Sequence, residues 1–350
     1  MKITGPNVCC ISDIHIGVHQ DSIMWHNIVL TWASWLKRKL IDQKIKDIII
    51  SGDVFHDRNE ISVNTLHVAN NFFKIFDDFN IYVLVGNHDI YYHNRTDVNS
   101  LSIFNNWPNI KIISEIETMK ICDKDVTFCP WNTKVEDIPK SDIIFGHFEI
   151  VSFKNTKNKV CEEGTRTKDL LEKSPLTISG HFHMKDERIY DEGTILYLGS
   201  PYELDWGDCS VTKGYYTLNI PSSEYQFHEN TISPKHYRVK FSDIKREGKI
   251  TDELKEKFNG NIINFIIDDS VNDLDKIDKF VKKLGVLNPL SLNTDFDHTS
   301  EYSLADNYDI AIEGIDIPQA IKEFIGILEI ENNKKDVLDY ILELYRRYEK

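Results

Sequence analysis

Five short apolar runs, each ending at once in a polar cluster, restrict the possible fold more than any other feature of the chain. Val8 to Ile11 leads into Asp13-Ile14-His15, Ile48 to Ile50 into Gly52-Asp53, and Ile81 to Val85 into Gly86-Asn87-His88-Asp89. Asp142 to Phe145 leads into Gly146-His147, and Leu176 to Ser179 into Gly180-His181-Phe182-His183. Continuous apolar runs of this length bounded by turn residues read as strands buried on both faces. Glycine lets the backbone turn sharply where such a strand ends. Between the first and second runs, Trp25, Ile28, Val29, Trp32, Trp35, Leu36 and Leu40 recur at helical spacing, and Leu66, Ala69, Phe73 and Phe76 do so between the second and third. Strand, helix, strand, helix, strand predicts an α/β layered fold with ligands beyond the carboxyl ends of the strands, where all five clusters fall. From about Lys120 the connections shorten, which predicts a second, more antiparallel sheet packed on the first through Tyr215-Tyr216-Thr217-Leu218. The expected architecture is a two-sheet α/β/β/α sandwich over residues 1–230.

The character changes beyond Pro234. Tyr237 to Val239 and Ile262 to Ile267 read as strands and Val271 to Leu284 as a helix, giving a small α+β capping domain over 231–287. From Val286 to Asp316 there are seven carboxylates and no Lys or Arg, which predicts a solvated acidic linker over 288–316. Residues 317–350 read as a pair of amphipathic helices, with Ile321, Phe324, Ile325 and Leu328 on one face of the first and Leu338, Ile341, Leu342 and Tyr345 on one face of the second. No apolar run approaches the roughly 20 residues that span a bilayer, and Met1 to Gly5 lacks signal-peptide character, so a soluble cytoplasmic protein is expected. Six cysteines without a CxxC spacing fit reduced thiols.

The clusters carry chemistry in combination. A lone His at a strand end is usually a residue that has found a structural partner. Asp13/His15 and His181/His183, however, are each spaced i, i+2, which on an extended strand end points both side chains to one face. Asp53 and Asn87 add oxygen ligands, and His147 a nitrogen. Seven N/O ligands without a thiolate suit a pair of first-row divalent ions better than a structural zinc, with Asp53 bridging them. Such pairs activate water and clamp the attacking and leaving oxygens at phosphorus. No G-x-S-x-G elbow, P-loop or G-x-G-x-x-G is present, which removes triad hydrolases, P-loop NTPases and dinucleotide binders. The net charge of −15, from 41 Lys and Arg against 56 Asp and Glu, opposes unaided binding to a phosphate backbone. Either the substrate is a small phosphate ester, or metal ions and a partner supply the missing attraction.

Taken together, Asp13-x-His15, Gly52-Asp53, Gly86-Asn87-His88-Asp89, Gly146-His147 and Gly180-His181-x-His183 resemble the calcineurin-like metallophosphoesterase superfamily. Within it the chain is most similar to the SbcD-type nucleases of double-strand-break repair, including those of T-even phages. His56, three residues after Asp53, and the block Tyr197-Leu198-Gly199-Ser200-Pro201 carry that finer likeness. The resemblance implies that Asp13, His15, Asp53 and His183 hold one ion and that Asp53, Asn87, His147 and His181 hold the other. It implies that His88 faces the scissile phosphate and that His56 helps place the substrate, with support of His88 or its loop as the plainer role for His56 and Asp89. It also implies a nuclease using two Mn2+ (or Mg2+ or another first-row ion), degrading duplex DNA from its ends and cutting single strands internally. Homodimerisation and an SbcC-like coiled-coil ABC ATPase partner, gripped by the carboxyl-terminal helices, follow from the same likeness, with the host cytoplasm as location if the chain is phage-encoded. The competing expectation is a stand-alone phosphomonoesterase or cyclic-nucleotide phosphodiesterase.

Overall fold

A computed structural model of the chain describes residues 2–154, 159–247, 250–267 and 274–296, together with Lys335, Leu338 and Ile341. The elements run β1 (Asn7–Ile11), α1 (Val18–Asp21), α2 (Ile23–Asp42), β2 (Asp47–Ile50), α3 (Val63–Ile75), β3 (Asn80–Leu84), β4 (Ile110–Ile113), β5 (Glu117–Ile121), β6 (Lys124–Cys129) and β7 (Ile143–His147). They continue with α4 (Thr167–Leu171), β8 (Leu176–Gly180), β9 (Asp186–Tyr190), β10 (Gly193–Tyr197), β11 (Gly214–Asn219) and β12 (Glu224–Glu229). A carboxyl-terminal module follows: β13 (His236–Lys240), α5 (Phe241–Glu247), α6 (Asp252–Phe258), β14 (Ile262–Ile267), α7 (Leu274–Gly285) and β15 (Ser291–Phe296).

Two six-stranded sheets form the body, in the orders β12-β11-β1-β2-β3-β4 and β5-β6-β7-β8-β10-β9. The apolar runs pair in register as parallel neighbours, Cys10 opposite Ile49 and Ile49 opposite Tyr82 in the first sheet, and Phe145 opposite Ile178 in the second. Because side chains alternate along a strand, each run feeds two cores. Val8, Cys10, Ile49, Tyr82 and Leu84 meet Val126, Phe128, Phe145, Ile178 and Leu196 between the sheets. Cys9, Ile11, Ile48, Ile50, Ile81 and Val83 face α2 and α3 on the other side. α2 buries the Trp25-to-Leu40 stripe read from the sequence. α3 starts where Ser62 caps it, its side chain accepting from the Thr65 N–H at 3.0 Å. The two sheets with helices outside make the expected sandwich.

Two features depart from the sequence reading. Tyr215 to Leu218 lies in the first sheet, antiparallel to β1, although Tyr216 and Leu218 do reach the seam between the sheets. The second sheet is also less antiparallel than expected: β6, β7, β8 and β10 run parallel, and only the edge strands β5 and β9 are reversed. Short connections misled here, because β8 and β10 are bridged by a tight excursion through β9 rather than by a long helix.

In the carboxyl-terminal module, β13, β14 and β15 form a parallel three-stranded sheet. Its own core contains Val239, Ile244, Leu254, Phe258, Ile263, Phe265, Ile267 and Leu284. The strands expected at Tyr237 to Val239 and Ile262 to Ile267 and the helix ending near Leu284 are present. β15 falls inside the stretch read as linker: its pattern is too short and polar to stand out, and it is held by pairing Ser291 to Phe296 with Ile262 to Ile267. Residues to Asp297 form one unit, and a second begins at His298. The expected helical pair at 317–350 lies outside the described residues, apart from Lys335, Leu338 and Ile341, which are helical.

Candidate metal centre

The five strand ends converge on one buried cluster. β1, β2 and β3 of the first sheet deliver Asp13 and His15, Asp53 and Asn87, while β7 and β8 of the second deliver His147, His181 and His183. The i, i+2 spacing works by a different route from the one its sequence suggests. Asp13 and His15 leave the sheet with φ of 54° and 51°, Asp53 has φ of 54° and His181 of 91°, so these positions are left-handed turns rather than extended strand ends. Such backbone is costly for residues with a Cβ, on the order of 1–3 kcal/mol each, and concentrates at functional sites. It is held here by cross-strand bonds: Asp13 N–H donates to Gly52 O at 3.1 Å, and the Ile14 and His15 N–H groups donate to Asp53 O at 2.9 and 3.1 Å.

The side chains fall into two groups joined at Asp53. Potential ligand atoms of Asp13, His15 and His183 lie within 4.8 Å of one another, and so do those of Asp53, His147 and His181. His15 Nε2 and His183 Nε2 are 3.0 Å apart. Asn87 Oδ1 lies 2.9 Å from both His147 Nε2 and His181 Nδ1, placing it in the second group. Asp53 Oδ2 is 3.2 Å from His147 Nε2 and 3.9 Å from His15 Nε2, so one carboxylate faces both groups. All seven residues expected as ligands are thus brought together.

Electrostatics of the cluster suit a cation. Burial and then the neighbouring His183 hold His15 well below the usual imidazole range, and burial with His147 brings His181 down to about 3, so both rings are neutral with a lone pair to offer. His147 goes the other way: burial alone would lower it, but Asp53 beside it raises it to about 9, while the same contact holds Asp53 well below the carboxylate range against its own burial. Burial above all raises Asp13 from the usual carboxylate range, so its ionised form is favoured only with positive charge beside it. Oxygen and imidazole donors without a thiolate fit divalent first-row ions, so the residues match the group that the sequence implies.

The supporting contacts are equally specific. His147 Nδ1–H donates to Ser51 O at 2.6 Å, which turns Nε2 inward, where a cation would take the place of its proton. Asp89, completely buried, accepts four backbone N–H groups: Asp53 and Gly86 on Oδ2 at 2.9 and 3.0 Å, and Val54 and Phe55 on Oδ1 at 3.1 and 3.0 Å. It thereby ties the Asp53 turn to the Asn87 turn. The His183 carbonyl is gripped by the Ser200 N–H at 3.0 Å and by the buried Lys213 ammonium at 2.7 Å. This gives the Tyr197-to-Pro201 block a physical role. Lys213 also meets Asp208 at 2.6 Å and Ser200 Oγ at 2.8 Å, and nothing in its sequence context signals this. Gly180 allows the sheets to close at the cluster: an added Cβ would sit 1.9 Å from Ser12 Oγ and 2.3 Å from Ser51 O. Gly180→Ala is expected to cost about 1–3 kcal/mol of stability, read by denaturant unfolding, since the backbone oxygen cannot move aside without displacing Asp53.

His88 and His56 line the rim of the first group, both half-buried. The His88 N–H donates to Asp53 Oδ1 at 2.9 Å, and its ring Nδ1–H donates to His56 O at 2.6 Å, which leaves Nε2 as the ring nitrogen not committed to the backbone. His56 Nδ1 lies 3.4 Å from His15 Nδ1 and its ring stacks at 5.7 Å on His88, a geometry that favours support of those rings over contact with substrate. Burial and then His88 bring His56 down to about 4. Trp131, unnoticed in the sequence, closes the other rim with its ring 5.0 Å from His181 and 5.9 Å from His147. It follows β6, whose ending in Cys129-Pro130-Trp131 is a sixth strand end of the same kind.

A fold of two parallel-cored sheets, with an oxygen and imidazole cluster at the strand ends, defines a metal-dependent phosphoesterase. The chain matches the calcineurin-like phosphoesterase family over residues 6–198 and belongs to it. It is 23% identical over 352 residues to exonuclease subunit 1 of Enterobacteria phage T4, covering 96% of this chain and 97% of that protein. A solved archaeal phosphodiesterase, 14% identical, covers 64% of this chain and 99% of its own, with a TM-score of 0.36. No helix among the described residues is long and apolar enough to cross a membrane.

Proposed function

We propose that the chain is a DNA nuclease working with two divalent ions. The observation that carries this reading is the pair of ligand groups sharing Asp53, with the half-buried His88 ring beside them and its Nδ1 committed to the backbone. Asp13, His15, Asp53 and His183 would hold one ion, and Asp53, Asn87, His147 and His181 the other. Such ions supply a nucleophile from water at neutral pH and neutralise charge developing on phosphoryl oxygens. The protein's own part is positional. Asp89 holds the two turns that present Asp53 and Asn87, and Ser51 O fixes the tautomer of His147. His88, with Nδ1 committed to His56 O, presents Nε2 to a scissile phosphate, where an imidazole can donate to an oxygen or protonate the leaving group. His56 orients His15 and His88.

The choice of DNA as substrate rests on the whole-length likeness to a phage exonuclease subunit. Manganese is the ion proposed, as the SbcD-type resemblance of the motifs implies, and the oxygen and imidazole donor set suits it. An SbcC-like ATPase partner completes the proposal, since a net charge of −15 calls for attraction from elsewhere, and a homodimer is proposed from the SbcD-type resemblance. The test is digestion of linear duplex and single-stranded circular DNA with Mn2+ by the intact chain and by His88→Ala. The variant should keep its bound manganese, measured by elemental analysis, and lose cleavage by about 100-fold or more, the usual weight of a positioned proton donor. DNA left whole while a phosphomonoester or cyclic nucleotide is turned over would replace the nuclease reading with that of a small-ester phosphatase.

A further inference from the structure

We propose that Trp131, Tyr91 and Tyr92 form a stacking track that receives unpaired bases of a DNA strand entering the metal centre, an inference that rests on the nuclease reading above. Immediately after Asp89, Ile90 bridges to Asn99 and Tyr91 N–H donates to Val98 O at 3.1 Å, closing a loop whose tip stands out from the protein. Tyr91 is 53% and Tyr92 46% exposed, two and three residues along the chain from Asp89. Single exposed aromatics are common on proteins, but two consecutive rings extending directly from the His88–Asp89 turn are not explained by packing. Their rings meet edge to face, 4.9 Å apart.

The loop that carries these rings is tied to the ligand turns through His93. His93, next in the loop, accepts from Asn132 Nδ2 through its carbonyl at 2.6 Å and meets Arg58 through its ring at 2.8 Å. Asn132 follows Trp131, whose ring lies against His181 and His147. Arg58 follows His56 by two residues. The loop is further fixed by Thr96 Oγ1, which donates to Ser114 O at 2.6 Å. It is therefore a held platform with one aromatic at the metal centre and two outside it.

An unpaired strand is the occupant that this chemistry favours. Base faces are open to stacking only when the strand is unpaired, and stacking is indifferent to sequence. It also needs no positive charge, which matters in a chain of net charge −15. The local cations do little alone: Arg95 lies over one face of the Tyr92 ring at 5.2 Å and is forked onto Asp97, so recognition falls to the ring faces it leaves uncovered. In this proposal Arg58, held on the His93 ring, adds a phosphate contact.

The experiment compares the intact chain with Tyr91→Ala/Tyr92→Ala and Tyr91→Phe/Tyr92→Phe, measuring KM and kcat with Mn2+ on single-stranded oligothymidylate and on blunt duplex. Both tyrosines are exposed, so the variants should fold. The alanine pair should raise KM for the single strand by about 10-fold or more, with kcat within about twofold, while the phenylalanine pair behaves as the native chain. The rise should persist at raised salt, because stacking releases no counterions. An unchanged KM, an equal rise on blunt duplex, or a phenylalanine pair as weak as the alanine pair would each overturn the track. If the intact chain cuts no DNA yet hydrolyses bis(4-nitrophenyl) phosphate, the nuclease reading falls and the track with it; DNA cleavage with unchanged KM removes the track alone.

Discussion

Asp53→Ala is expected to eliminate measurable phosphodiester cleavage and to lower manganese stoichiometry at both positions of the centre. The reason is the placement of Oδ2 between His147 at 3.2 Å and His15 at 3.9 Å, so that one side chain serves both ligand groups. Loss of a residue that merely orients a ligand usually costs about 10–100-fold in metal affinity or activity. Removal of the shared carboxylate must exceed that, and a fall of more than about 100-fold in cleavage is the expected reading. Asn87→Ala is the informative contrast: its Oδ1 approaches only His147 and His181, so it should weaken one ion and spare the other. Calorimetric titration with Mn2+ separates these outcomes. Equal loss at both positions in Asn87→Ala, or two intact positions in Asp53→Ala, would refute the shared-carboxylate arrangement.

Asp89→Ala should be among the most destabilising single changes in the protein. Its two oxygens take four backbone N–H groups in a place with no access to solvent. Each buried donor left without an acceptor costs roughly 1–3 kcal/mol, so a loss of at least about 3 kcal/mol is expected by denaturant unfolding of the ion-free protein. Asp89→Asn should fall between. Whichever way the amide is turned, its NH2 faces either the Asp53 and Gly86 pair or the Val54 and Phe55 pair, leaving two of the four donors opposed. An Asn variant as stable as the native chain would show that the turns hold themselves. A variant that is stable but fails to bind manganese would assign Asp89 to the centre rather than to the fold.

Much of this site was readable because its parts are local. Each apolar run buries itself in a sheet, and the polar residues after it are left at the strand end by simple connectivity, so Asp13, His15, Asp53, Asn87, His147, His181 and His183 could be named from the chain. The order of strands β1, β2 and β3 was readable for the same reason, with α2 and α3 supplying the crossovers. What could not be read depends on long-range closure. Lys213 reaches the His183 carbonyl across 30 positions, and Trp131 meets His181 across two strands of the second sheet. The parallel pairing of β8 with β10 was hidden by the short excursion between them. β15 carries only a weak pattern of its own and exists by pairing with β14. Asp13 and His15 are brought together by another cause than the one their spacing suggested, since left-handed turns rather than an extended strand place them.

The seven candidate ligands come from both sheets, three strand ends of one and two of the other. Elsewhere the seam between these sheets is closed by Val8, Cys10, Ile49, Phe128, Phe145 and Ile178, which hold it by burial alone. Ions held by those seven residues would make loading and folding a single linked equilibrium. An ion that binds only the native arrangement adds about 2.7 kcal/mol of stability at a free concentration one hundred times its dissociation constant. Supply of the metal would then set how long the protein persists in its native state as well as how fast it works, and a chelator would act on the sandwich as a denaturant.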